Sequence, residues 1–220
     1  MIPLGDETRR PISFPITTLA IIVASAFVFI LELLGGDPFI NRWALVPAHI
    51  MAGQDWITIL SAMFMHAGWV HILGNMLFLW VFGPEIEDVM GPLPFLVFYL
   101  LGGLVATVAQ VLIDPASTVP NLGASGAIAA VMGAFLITYP RDRIRTVVVF
   151  GWFARVTFLP AILMVGLWFL MQLFSEVGAL AQAQAGGGVA YMAHVGGFVF
   201  GMLLGRLFES RRRRRLQGLE

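Results

Sequence analysis

Across its 220 residues the chain is 59% apolar and only 12% charged, with a mean hydropathy of +0.87. That is well above the roughly half-apolar usage of a water-soluble domain, so the solvent of this protein is the bilayer. Thirteen basic and thirteen acidic residues cancel, which leaves no global field to attract nucleic acid, and the lack of cysteine excludes disulfides, thiolate metal sites and a thiol nucleophile.

In chain order, Asp6, Glu7 and three prolines interrupt the stretch before the first apolar run, so residues 1–15 read as a short leading segment and not as a cleaved signal. Apolar runs bounded by charge, Gly or Pro then predict six spans, at about 17–34, 71–89, 93–113, 124–140, 156–175 and 190–208. Between the first two lies Gly35 to Val70, which carries Trp43, Trp56 and Trp69. A loop of that length and aromatic content predicts a partly helical segment lying in the membrane interface. The connection from Glu176 to Gly188 is rich in small residues and ends in three glycines, which predicts a mobile loop. The fold class expected is an all-α membrane protein of six transmembrane helices. Residues 1–220 are read as a single transmembrane domain with an arginine-rich tail at 209–220.

All thirteen basic residues are arginine. Arg9 and Arg10 precede span one, Arg141, Arg143, Arg145 and Arg155 lie between spans four and five, and Arg206 with Arg211 to Arg215 follow span six. With six spans these all fall on one side, and only Arg42 falls on the other. The positive-inside rule therefore predicts cytoplasmic N- and C-termini, with the long first loop and the glycine-rich loop facing outward. The expected location is the plasma or inner membrane. The run Arg211 to Arg215 reads as a topology signal that contacts membrane lipid.

Polar residues inside spans are costly and few, so each is a functional candidate. Span two opens with His71 and Asn75, four residues apart and on one helix face, where both can donate hydrogen bonds. Span four opens with Gly123-Ala124-Ser125-Gly126, placing Ser125 where a loop enters a helix and first-turn N–H groups lack intrahelical partners. Such donors can hold an oxyanion. Span six carries His194, followed by Gly197, Gly201 and Gly205. Small residues on spans four and six, from Gly126, Ala130 and Gly133 to Gly197 and Gly201, allow close backbone approach. That approach would bring Ser125 within reach of His194. A serine hydroxyl needs a base to take its proton, and a neutral imidazole is the usual one near neutral pH. Neither Glu32, far along span one, nor Asp114, in a loop, has an obvious place beside His194, so a Ser-His dyad without an acidic third member is expected.

Three segments, Gly-Ala-Ser-Gly-Ala at 123–127, His-Ile-Leu-Gly-Asn at 71–75 and Ala-His-Val-Gly-Gly at 193–197, resemble the signature segments of rhomboid intramembrane serine proteases, in the same order. The resemblance runs over roughly residues 43 to 205. It implies that Ser125 is the nucleophile, His194 the general base, and His71 and Asn75 the side chains of an oxyanion hole completed by the Ser125 N–H. It also implies a structural role for Glu87, a membrane-embedded first loop and a flexible cap before span six. Two positions depart from the family pattern: Ala129 stands where many members stack an aromatic on the base, and Trp56 is followed by Ile57 where many have arginine.

The function expected is cleavage of single-span transmembrane proteins, with membrane lipid as the other partner and no nucleic acid, cofactor or metal. The alternative is a catalytically silent relative that binds membrane clients, which would ordinarily have lost the serine or the base. A channel or transporter ranks lower, since no internal repeat is evident. The chain has no His-Glu-x-x-His segment for zinc and no pair of intramembrane aspartates. Taken singly, Ser125 could be a helix cap, His194 and Asn75 interhelical bonds, and His49 and His66 structural or solvated loop residues.

Overall fold

The structure is a computed structural model that describes residues 1–8, 10–151, 153–181, 191–216 and 218. The predicted glycine-rich connection lies outside the described residues from position 182 onward. Strand β1 (Ile2–Asp6) leads into α1 (Ile16–Trp43). The long first loop then forms α2 (Pro47–Met51), α3 (Thr58–Ser61) and a 3-10 turn (Ala62–Phe64). Next come α4 (Trp69–Met90), α5 (Pro92–Ile113) and α6 (Ser125–Thr138), followed by strands β2 (Arg143–Phe150) and β3 (Phe153–Pro160). The chain ends in α7 (Ala161–Ala181), α8 (Tyr191–Phe208) and the short α9 (Arg211–Leu216).

Among the described residues, α1, α4, α5 and α8 are long and apolar enough to cross a membrane, while α6 and the first half of α7 are shorter apolar helices. Six principal helices thus occupy the six predicted apolar runs, with a membrane-type helical bundle as the result. Helix α1 breaks at Gly36, whose φ of 57° is accessible to glycine at little cost. Helix α6 has only 14 residues, about 21 Å at 1.5 Å per residue, against a hydrocarbon core of about 30 Å. Its residues from Gly126 to Phe135 are all buried, so this helix is the axis around which the others pack. The core around it is aromatic, with Phe82, Phe95, Phe98, Tyr99, Phe135 and Phe198 inaccessible or nearly so.

The carboxylates Glu87 and Asp88, buried in the last turns of α4, have a packing reason. The residue before α1 is Pro15, which supplies no side-chain cap, so the first N–H groups of α1 need acceptors from elsewhere. Glu87 on α4 accepts from Thr17 N–H and Thr18 N–H at 2.8 and 2.7 Å, and from the Thr18 hydroxyl at 2.8 Å. Asp88 accepts from Ile12 and Ser13 N–H at 3.0 and 2.9 Å. Arg213 of α9 donates to the Asp88 carbonyl at 2.9 Å, so part of the arginine-rich tail packs on protein.

One element was not anticipated. Strands β1, β2 and β3 form an antiparallel sheet in that order, at the same end of the bundle as the α4–α5 turn and α9. The apolar pattern predicts a connection over 141–155 and span five from 156, whereas strands occupy Arg143–Phe150 and Phe153–Pro160 and α7 begins at Ala161. The run from Val156 to Leu159 is short and apolar except at Thr157, and such a run joined to an apolar helix does not by periodicity alone distinguish strand from helix. Pro160 disfavours helical geometry in the residue before it, which sets the boundary.

Candidate active site

Helix α6 starts at Ser125, and the residue before it, Ala124, offers no side-chain cap. Ser125 therefore does not serve as an N-cap, and its hydroxyl lies 2.7 Å from His194 Nε2. With the imidazole proton on Nδ1, the Ser125 O–H donates to Nε2. Sixty-nine residues separate the two in sequence, and the contact between α6 and α8 is what joins them. A methyl group on Gly197 would collide with the carbonyl oxygen of Gly126, and one on Gly201 with that of Ala130. Gly133 likewise faces the Phe198 carbonyl, and Gly205 faces Ala134. The two backbones touch because the seam has no side chains between them.

Gly123 precedes the helix with φ 139°, a region that favours glycine, and its N–H donates to the Ala62 carbonyl at 2.8 Å. A Cβ there would stand 2.9 Å from His71 Cε1 and 3.0 Å from its Nε2, so the His71 ring fills the space beside the Ser125 turn. The Ala67 N–H donates to His71 Nδ1 at 3.3 Å. Accepting at Nδ1 puts the proton of the neutral ring on Nε2, the nitrogen that faces Gly123. Asn75, one turn along α4, is buried, and its Nδ2 has no hydrogen-bond partner among the described residues. A cavity of about 260 Å³ is lined by His71, Asn75, Ser125 and His194 together, and by Ile128 and Trp168. It offers one hydroxyl, one base and uncommitted N–H donors around a shared space.

Sequence reasoning left the surroundings of His194 open because Ala129 carries no ring. In the structure Trp168 of α7 lies 5.8 Å from the His194 ring at 45°, and Tyr191 lies 6.4 Å away at 82°. No local pattern around Ser125 could have indicated a ring from α7. The Ala193 N–H donates to Gln110 Oε1 at 3.3 Å, tying the start of α8 to α5.

Glu32 and His66 also have assigned partners. Both carboxylate oxygens of Glu32 accept from the His66 N–H, at 3.0 and 3.1 Å, which anchors the first loop to α1. His66 Nδ1–H donates to the Phe64 carbonyl at 3.2 Å, and its ring meets His71 edge-on at 5.2 Å. Burial, then the neighbouring His71, push the His66 pKa down to about 4, so this loop residue is neutral at physiological pH. His49 stays exposed at 3.1 Å from Asp55, a surface contact worth little.

Residues 53–211 match the family model for the rhomboid domain. The chain is 28% identical over 187 residues to "Rhomboid protein 1, mitochondrial" of Saccharomyces cerevisiae, which covers 80% of this chain and 51% of that protein. It is 32% identical over 123 residues to "Rhomboid protease GluP" of Bacillus subtilis, covering 54% of this chain and 24% of the relative. It is also 28% identical over 187 residues to "Rhomboid protease GlpG" of Pectobacterium atrosepticum, covering 85% and 60%. The matched segments thus span between about a quarter and three fifths of these relatives' lengths.

Proposed function

The chain belongs to the rhomboid family of integral membrane proteins, and from that premise we propose that it is an intramembrane serine endopeptidase that cleaves transmembrane segments of membrane proteins. The observation that carries this reading is the 2.7 Å separation of Ser125 Oγ and His194 Nε2 inside a membrane-type bundle. Two of the relatives above bear the name protease.

In this reading His194 removes the Ser125 proton as Oγ attacks the scissile carbonyl carbon. The negative charge that develops on the carbonyl oxygen is met by His71 Nε2–H, Asn75 Nδ2–H and the Ser125 N–H. Each such donor, aimed at charge that exists only in the transition state, contributes about 3 kcal/mol. His194 then passes its proton to the leaving amine, leaving an acyl group on Ser125. Water attacks that ester with His194 again as base. A helical substrate protects its own peptide bonds by hydrogen bonding, so it must unwind locally before Ser125 can reach a carbonyl. Single-span proteins with small residues near the cleavage site fit this requirement best. Residues 1–220 act as one transmembrane unit, with the arginine-rich end cytoplasmic and the Ser125 end opening outward.

The test is cleavage of a tagged single-span protein by the purified chain in proteoliposomes. Ser125→Ala should abolish cleavage, and cleavage that survives it would reject the mechanism. A fluorophosphonate should label the wild type but neither Ser125→Ala nor His194→Ala. Absence of both cleavage and labelling in the folded wild type would leave the client-binding alternative.

A further inference from the structure

We propose that the β2–β3 hairpin is a membrane anchor that lies along the anionic lipid surface at the arginine-rich end of the bundle. In an antiparallel sheet with one face in water, apolar and polar residues alternate and the outward set is polar. Here the register puts Val147 and Val149 of β2, with Arg145 at the base, on one face with Phe158, Val156 and Ala154 of β3. That face points away from the bundle, since Ile144 and Thr146, on the other, are the fully buried ones. Yet Val149, Val156 and Phe158 are 54%, 52% and 42% exposed, and Phe153 at the tip is 79% exposed. From Val147 to Ala154 the sequence has no charged, amide or hydroxyl side chain. Such a tip is unsuited to open water.

Two features select a lipid surface as the occupant. The first is charge: the hairpin carries Arg143, Arg145 and Arg155, with no Asp or Glu between Arg143 and Ser175. Basic groups beside exposed aromatics match anionic head groups. Two copies facing each other through this surface would bring like charges together. The second is continuity, because β3 passes into α7 without a linker, and the exposed row of β3 runs on into Ile162 and Leu163 on the outer surface of α7, 54% and 51% exposed. Eight residues of strand extend about 26 Å, several times the depth of one head-group layer. To keep its apolar tip within that layer the hairpin must lie along the membrane.

The chain has no cysteine, so single nitroxide labels can be placed without background. Phe153→Cys and Val156→Cys, labelled and reconstituted in phosphatidylcholine vesicles with and without phosphatidylglycerol, are compared with Leu167→Cys on the outer surface of α7 and with exposed Glu7→Cys. The proposal expects oxygen-to-nickel-chelate collision ratios at 153 and 156 several-fold above Glu7→Cys. It expects them to rise with phosphatidylglycerol, and the rise to disappear when Arg145→Gln and Arg155→Gln are added. Ratios equal to those at Glu7→Cys, while Leu167→Cys reports a normally inserted bundle, would overturn it. Dipolar coupling between labels on separate chains that vanishes on dilution with unlabelled protein would overturn it in favour of a second copy.

Discussion

Gly197→Ala probes the seam where a single methyl group has nowhere to go. The added carbon would meet the carbonyl of Gly126, which is backbone and has no rotamer to yield. Helices α6 and α8 must then separate by roughly 1 Å, and overpacking of this kind costs about 1–3 kcal/mol. Gly126 is the neighbour of Ser125, and Gly197 is three residues from His194. A 1 Å shift there stretches the 2.7 Å contact beyond hydrogen-bond length. Misplacement on that scale costs about 100-fold in rate. The control is Gly166→Ala on α7, where no atom lies within 4 Å of the added carbon, and which shares the gain in helix propensity. Thermal unfolding should fall by about 2–4 °C per kcal/mol in Gly197→Ala, and cleavage of a tagged single-span protein should fall about 100-fold, with neither change in Gly166→Ala. If the two variants unfold and cleave alike, close backbone contact is not what sets the dyad.

Asn75→Ala should lower kcat about 100-fold with little change in KM, as expected for a donor used only in the transition state; an unchanged kcat would remove Asn75 from the oxyanion hole. Trp168→Ala should lower kcat about 2- to 10-fold, the equivalent of the 0.5–1.5 kcal/mol typical of ring contacts of about this separation. Trp168→Phe should recover most of that loss, and equal activity in all three proteins would show that the ring does not hold His194. His66 titrates near 4 in the folded chain against 6.5 in the unfolded one, so the unfolded state binds the extra proton. Stability should decline as pH falls from 6.5 towards 4, and the decline should be shallower in His66→Gln. Parallel melting curves across that range would exclude His66 as its source.

The four helices long enough to cross a membrane and the two shorter apolar helices were legible because a bilayer admits only segments that satisfy their own backbone hydrogen bonds, and each such segment announces itself as an apolar run. The glycine spacing on α6 and α8 also carried its meaning locally, since small residues at four-residue intervals mark one face of a helix wherever it packs. The strands of the hairpin were not legible, because Val156, Phe158 and Leu159 run directly into the apolar residues of α7 and the pairing partner lies across a turn. Trp168 and Glu87 were equally out of reach as partners. One completes the surroundings of an imidazole on another helix, and the other caps a helix 69 residues before it in the chain.

By itself, then, the sequence determined which segments are apolar enough for a bilayer and which polar groups they carry, because affinity for lipid is a property of each segment alone. Only the tertiary structure decided that Ser125 meets His194, that the Ala67 N–H meets His71 Nδ1, and that Trp168 of α7 lies beside the His194 ring. Those facts depend on how far apart two backbones stand and what lies between them, and such distances are set by packing between helices.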